Sequence, residues 1–373
     1  MKIFRKTIVA ALENRALNYL AHVANFNALT VLCYHGVIER HLGPEHPQFL
    51  TTVHTSELVE HLRMVLRWFT PVTATLVRNW YLGTASLPRH SLLVTFDDGY
   101  QNNRTLAAPL LLEYGVPAIF FICSGHTGGE GLFWYDELKL RLLEWQDRDI
   151  HLPDRPEYRL WPKGELGRAA VSKCILSGCK KLSNEARLEY IDYLRRLTPT
   201  WRPEETDREL VQPMSWDDVV ALSNRGFEIG SHTVEHPLLS KLTIAALRHE
   251  LKDSKARIEE MTKKPCFAIA YPNGTVDDIT PTVIAETEAA GYELGFVVGD
   301  RLHRRTSSRF LISRVGGIGH SPLGATRMRV SGLYSFAQKM NLARARATEK
   351  TLSVPTHNIL GSPPAGPHFL TRS

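Results

Sequence analysis

Leu92-Leu93-Val94-Thr95-Phe96 is a short, unbroken run of apolar and β-branched residues that ends directly on Asp97-Asp98-Gly99-Tyr100. A run of this length with no polar alternation reads as a strand buried on both faces, as in a parallel sheet or barrel. Adjacent strand residues point to opposite faces, so Asp97 and Asp98 take different roles only where the strand gives way to a loop. Gly99 permits that turn, because it tolerates backbone angles that other residues avoid. Active sites of α/β barrels lie at the C-terminal ends of strands, where these two carboxylates fall. Taken alone, the segment also fits an Asp-Asp-Gly turn on a surface.

A second stretch changes that balance. Phe227-Glu228-Ile229 reads as another short strand, and Gly230-Ser231-His232-Thr233-Val234-Glu235-His236-Pro237 follows it. His232 and His236 are four apart, so on a helical turn both imidazoles face one way. Two such histidines and one carboxylate make a three-ligand site with an open position for water, the pattern of a catalytic metal centre. A His-x-x-x-His pair arises often by chance in a chain with 16 histidines. Coupled to an Asp-Asp pair at a separate strand end, it is much harder to dismiss.

Thr95-Phe96-Asp97-Asp98-Gly99-Tyr100 and Ser231-His232-Thr233-Val234-Glu235-His236-Pro237 resemble the first two motifs of the polysaccharide deacetylases, the NodB-homology or carbohydrate esterase family 4 proteins. Ala270-Tyr271-Pro272-Asn273-Gly274 is similar to the Phe-Ala-Tyr-Pro-Tyr-Gly version of the third motif, and differs from the commoner Arg-Pro-Pro-Tyr-Gly version. The resemblance covers roughly residues 30–335 and implies an α/β fold, a distorted (β/α)7-type barrel. Tyr34-His35, after the strand-like run Leu29-Thr30-Val31-Leu32-Cys33, is similar to an element of the permuted branch that includes the poly-N-acetylglucosamine deacetylases.

That resemblance implies a metal-dependent hydrolysis of the N-acetyl group of a sugar in a polysaccharide or glycan precursor, with release of acetate. Asp98, His232 and His236 would hold a divalent metal that lowers the pKa of bound water and polarises the carbonyl. Asp97 would serve as general base and His35 as general acid. The turn Tyr271-Pro272-Asn273-Gly274 would face the oxyanion, with the amide of Asn273 as donor. Arg314 would orient Asp97, or else lie on the surface. His320, on a late Gly-rich loop, is the rival acid. Two histidines and a carboxylate suit Zn2+ first, and also Co2+, Ni2+, Fe2+ or Mn2+. A catalytically silent glycan-binding barrel, and a deformylase or other amide hydrolase of the same fold, are the alternatives.

The rest of the 373 residues is read around that centre. A formal charge of +6 is mild for this length, and the arginines show no basic-aromatic pattern of a nucleic-acid reader. Five cysteines without framework spacing lean toward a reducing compartment. Residues 1–27 begin with a basic segment but lack the apolar length and cleavage site of a signal peptide. They read as an amphipathic helix with Phe4, Ile8, Leu12, Ala16, Leu20 and Val23 on one stripe. Packing of that stripe on the domain is the ordinary expectation; peripheral contact with a membrane surface is the other. The expectation is a cytoplasmic chain, peripheral to the inner membrane if the stripe engages lipid.

Residues 28–337 read as the barrel, with a mainly helical insertion at about 125–214 walling one side of the cleft. Pro109 predicts a kink or a late start in the helix that follows the first motif. Residues 338–373, rich in Ala and Arg and then in Pro, Gly and Ser, read as a poorly ordered tail.

Overall fold

The structure is a computed structural model that describes residues 14–129, 131–145, 149–160, 164–275, 278–317 and 321–337. The expectations for residues 1–13, for His320 and for the tail from 338 onward lie outside the described residues. The architecture below belongs to a compact unit ending at Ser335; Phe336–Ser373 is a second unit.

Seven parallel strands follow one another in the sheet in the order they occur in the chain: Thr30–Tyr34, Ser91–Phe96, Ala118–Ile122, Glu228–Ser231, Ala268–Ala270, Leu294–Val298 and Ile312–Arg314. The first and last ends meet at a single parallel bridge, Leu32 to Val315. There Cys33 N donates to Val315 O at 2.9 Å, and Val315 N to Val31 O at 2.8 Å. The result is a nearly closed α/β barrel of seven strands, the (β/α)7-type architecture that the resemblance implies.

Because successive strand residues face opposite ways, each strand feeds two cores. Val31, Leu93, Phe121 and Phe296 fill the interior, together with Val77 and Trp80 of helix Ala74–Leu82. Glu228, the first residue of its strand, accepts from Ala74 N at 2.5 Å and Thr75 N at 2.7 Å, so this helix sits at the N-terminal end of the barrel. Leu92, Val94, Phe96, Phe120 and Ile122 face outward and pack on the surrounding helices through Leu62, Leu111, Leu222 and Leu251. The strand ends at the opposite mouth are left for chemistry.

After the first motif the backbone takes a π-helical turn at Asn103–Ala107, and the α-helix Ala108–Glu113 begins with Pro109 in its first turn. This is the late start expected from a proline whose missing N–H is harmless only there. Ser215 caps helix Trp216–Asn224 in a reciprocal capping box with Asp218.

Between the third and fourth barrel strands lie helices Trp134–Leu143, Gly164–Cys179, Asn184–Leu197 and Glu205–Val211, with their own apolar core around Leu138, Ile175 and Leu194. They also contain an antiparallel pair, Ile150–Leu152 with Arg155–Leu160, which the helix-prone sequence does not announce.

Helix Arg15–Ala24 corrects the packing expected for residues 1–27. It buries its polar side: Asn18 and His22 are 3% and 7% exposed, while Leu20 and Val23 are 62% and 43% exposed. Ser331 Oγ bonds Asn18 Oδ1 at 3.0 Å, Asn25 Nδ2 donates to Ser331 O at 3.1 Å, and His22 stacks on His90 at 3.9 Å. Those partners come from distant parts of the chain, so periodicity alone gave the stripe without its direction.

Candidate active site

Strand Ser91–Phe96 ends one residue before the carboxylates, and Asp98 and Gly99 both take left-handed backbone angles, φ 72 and 74. Two such residues in succession turn the chain sharply and separate the directions of Asp97 and Asp98. A non-glycine residue at positive φ is uncommon and strained, so Asp98 is held there by its surroundings.

Asp97 points into the barrel. Arg314, from the last strand, grips it with both terminal nitrogens, Nη1 to Oδ1 at 2.6 Å and Nη2 to Oδ2 at 2.7 Å. Arg314 also donates to Thr95 Oγ1 at 3.3 Å and lies over the rings of Phe121 and Phe296 at 5.5 and 6.0 Å. Cys33 adds an Sγ contact to Asp97 Oδ2 at 3.5 Å. Burial alone would raise the Asp97 carboxyl, but the Arg314 charge outweighs it and holds the group below its ordinary range.

Asp98 points the other way. Its Oδ1 lies 3.5 Å from His232 Nε2 and 3.6 Å from His236 Nε2. The same oxygen is buried and has no hydrogen-bond partner among the described residues. His232 Nδ1 is 2.6 Å from the carbonyl of Ala270, which assigns that nitrogen as the N–H donor and leaves Nε2 with its lone pair.

All three donor atoms fall within 4.8 Å of one another. Ligand bonds of about 2.1 Å at tetrahedral angles would set two donors about 3.4 Å apart. The residues therefore fit a divalent cation on spacing, on the free Asp98 oxygen and on the His232 tautomer. Burial disfavours charge on Asp98, yet the neighbouring imidazoles hold its carboxyl well below the usual range. Burial and the nearby His232 push His236 well below its ordinary value, so it is neutral and ready to ligate.

The paired histidines are not on a helical turn. They lie on a loop after strand Glu228–Ser231, with Thr233 and His236 at φ 71 and 53. Their convergence is enforced from outside: Glu250 Oε2, on helix Ile244–Thr262, accepts from Val234 N at 2.8 Å and Glu235 N at 3.0 Å. Phe133 and Tyr135 pack beside His236, with ring centroids 5.9 and 4.8 Å away. Glu250 and the Cys33 contact are the parts of the site that sequence reading missed. Cys33 lies within an apolar run, and Glu250 on a helix whose sequence names no partner in the loop.

The remaining expected residues share the same cleft, of about 520 Å³, which His35, Asp97, Asp98, Tyr271, Pro272 and Asn273 help to line. His35 has its carbonyl held by Asn103 Nδ2 at 2.6 Å, and its ring lies with Cys33 and Asp97 in a second group of donors within 4.8 Å. Asn273 sits at φ 59, braced by Asp278, which accepts from its Nδ2 at 2.5 Å and from Thr275 N at 3.2 Å. Its backbone N–H makes no hydrogen bond among the described residues. Gly274 does not line the cleft; at φ 61 it makes the turn, and its carbonyl accepts from Val298 N at 2.6 Å.

The fold and site define a parallel α/β barrel with an Asp-His-His set of potential metal donors and a second, arginine-bound carboxylate at one mouth. A family model described as polysaccharide deacetylase matches residues 84–170 and 189–295, more than half of the chain. The chain belongs to the polysaccharide deacetylase family. It is 28% identical over 107 residues to the Bacillus subtilis (strain 168) protein YxkH, whose name places it with the polysaccharide deacetylases. That stretch is 28% of this chain and 37% of that relative. The fold is similar to that of the Streptococcus pyogenes deacetylase PplD in complex with acetate, with a TM-score of 0.52 and 14% identity, over 82% of this chain and 99% of that one.

Proposed function

We propose that this protein removes the N-acetyl group from an N-acetylated sugar of a polysaccharide or glycan precursor, releasing acetate, and that it needs a divalent metal to do so. The observation that carries this reading is the division of labour between adjacent carboxylates: Asp97 is tied to Arg314, while Asp98 Oδ1 is left bare beside two imidazoles.

An amide carbonyl resists neutral water, so hydrolysis needs a stronger nucleophile, charge stabilisation at oxygen and a proton for the leaving amine. A cation held by Asp98, His232 and His236, zinc being the first choice, supplies Lewis acidity and a lowered pKa for water. Asp97, ionised and beside those ligands, takes the proton of the attacking water. The N–H of Asn273, which has no partner among the described residues, donates to the oxygen that gains charge. His35 stands across Asp97 and gives its proton to the departing nitrogen. Tyr271 and Pro272 form the wall that fixes the turn.

The test is acetate release from a panel of N-acetylhexosamine glycans by chelator-treated and metal-reconstituted protein. Activity that appears with metal and is lost on chelation supports the reading. Metal-loaded protein that binds these glycans and releases neither acetate nor formate would leave a binding barrel in its place.

We also propose that helix Arg15–Ala24 seats the protein on an anionic membrane face from the cytoplasmic side. Its residues Leu17, Leu20 and Val23 are exposed. Burial, and then the nearby charges of Arg15 and Arg67, lower the affinity of Arg327 for its proton, which places the three arginines near one another. Apolar side chains flanked by clustered arginines match the interface of an acidic bilayer. Among the described residues no helix is long and apolar enough to cross it. Co-sedimentation with phosphatidylglycerol vesicles should fall for Leu17→Ser/Leu20→Ser. Equal binding by both forms, or a concentration-dependent dimer in its place, would remove the proposal.

A further inference from the structure

The cleft does not stop at the carboxylates and histidines. It runs on along helix Gly164–Cys179 of the insertion, where Ala169, Lys173 and Leu176 line it, followed by Lys180 just past the helix end, at spacings of four, three and four residues. That spacing is one stripe of a helix. The opposite stripe, Val171, Ile175 and Cys179, is buried in the insertion's own core, which fixes the rotation of the helix. Lys139, from helix Trp134–Leu143, joins the same lining.

Three ammonium groups therefore lie along one cleft. Lys139 is partly answered, since Nζ lies 3.3 Å from both Asp136 Oδ1 and Gln48 Oε1. That carboxylate is already shared with Tyr100, whose hydroxyl donates to it at 2.6 Å. Lys180 has no carboxylate within ion-pair distance among the described residues; burial and repulsion from Lys139 lower its proton affinity, and Asp278 offsets this in part. Lys173 is exposed and likewise unpaired among the described residues. A partly buried cation without a partner, as at Lys180, is unfavourable unless an anion arrives to meet it.

We propose that this wall is a subsite for an oxyanion group on the substrate, a phosphate ester or a uronate carboxylate, borne by the acetylated sugar or its neighbour. The proposal rests on the deacetylase reading of the other end of the cleft. Each ammonium offers three donors as a compact charge, which suits phosphate or carboxylate oxygens. Ser172 adds a hydroxyl on the same helix, and Leu176 and Trp134 give an apolar surface for a sugar face. The substrate is thus an anionic glycan, held at its acid group by Lys173 and Lys180 while its acetamide reaches Asp97.

The test uses the full chain loaded with zinc and three matched substrates: N-acetylglucosamine oligomers that are neutral, that end in a phosphate, or that carry a glucuronate. Binding of N-acetylglucosamine and of its 1-phosphate is measured alongside by calorimetry. The wild type should prefer an anionic substrate. Lys173→Gln and Lys180→Met should each raise its KM about tenfold, with kcat little changed, and Lys180→Arg should restore most of the preference. The phosphate and glucuronate arms identify the acid group. Equal affinity and turnover for neutral and anionic compounds, or a preference that survives the double variant, would overturn the subsite. Charge-dependent binding without acetate release from any substrate would instead overturn the deacetylase reading and leave the subsite standing.

Discussion

Arg314 and Asp97 form a bidentate ion pair at 2.6 and 2.7 Å inside the barrel mouth, with both side chains almost wholly withdrawn from water. The pair has two consequences of opposite sense. It keeps Asp97 ionised at acidic pH, as the proposed base must be, and it makes Asp97 a weaker base than a free carboxylate. Replacing Arg314 with Met should therefore raise the Asp97 pKa. Activity falls as pH drops through that pKa, so the acid limb of the pH-rate profile should move to higher pH. Leaving a buried carboxylate unpaired should also cost about 3–5 kcal/mol of stability, read from denaturant unfolding. An unmoved acid limb would mean that Asp97 is not the titrating base.

Asp97 and Asp98 are adjacent in sequence, and their isosteric replacements should separate cleanly. Asp97→Asn keeps the Asp98, His232 and His236 donors in place. It should lower turnover by about a hundred- to ten-thousand-fold while zinc content stays near that of the wild type. His232→Ala should lose zinc and turnover together. Elemental analysis of purified variants beside acetate release checks both, and parallel loss of metal in Asp97→Asn would put Asp97 among the ligands.

The strand-end carboxylates, the histidine pair and the Tyr-Pro-Asn-Gly turn were legible because each packs several chemically demanding residues into a few positions. Their local geometry was less so. His232 and His236 were expected to share a helical turn, yet they converge from a loop whose amides are held by Glu250, and nothing in the loop's own sequence names that partner. The direction of helix Arg15–Ala24 was lost for the same reason. A stripe of apolar residues is visible in sequence, but the partners that bury Asn18 and His22 come from Ser331, Trp68 and His90. What could be read was what neighbours in sequence decide; what could not was set by contacts across the fold.

Glu250 tests that claim directly. Its carboxylate carries two amides of the loop bearing His232 and His236 from a neighbouring helix. Glu250→Gln keeps the size and one acceptor but removes the charge. Supporting residues of this kind typically change metal affinity by about 10–100-fold. Zinc affinity, measured by competition with a chromophoric chelator, should fall within that range while the melting temperature of the metal-free protein moves little. A variant that unfolds outright, with unaltered affinity in whatever remains folded, would make Glu250 a stability residue alone.

Two buried histidines outside the Asp98, His232 and His236 donor set should contribute to the acid limit of stability. His61 sits against Tyr34, with its Nδ1 3.2 Å from the hydroxyl, and His303 Nε2 accepts from Ser313 N at 2.5 Å. Burial pushes each of them down to about 4 from an ordinary 6.5. Their folded values lie below their unfolded ones, so between those limits the unfolded chain holds more protons than the folded chain. By linkage, stability then rises with pH across the window, is complete above about 6.5, and is lost progressively as pH falls toward about 4. Urea unfolding at pH 7, 5.5 and 4.5 should show this decline with metal-free protein, so that ligand protonation does not contribute. His61→Gln should flatten the slope. A slope unchanged by that substitution would shift the acid sensitivity to other groups.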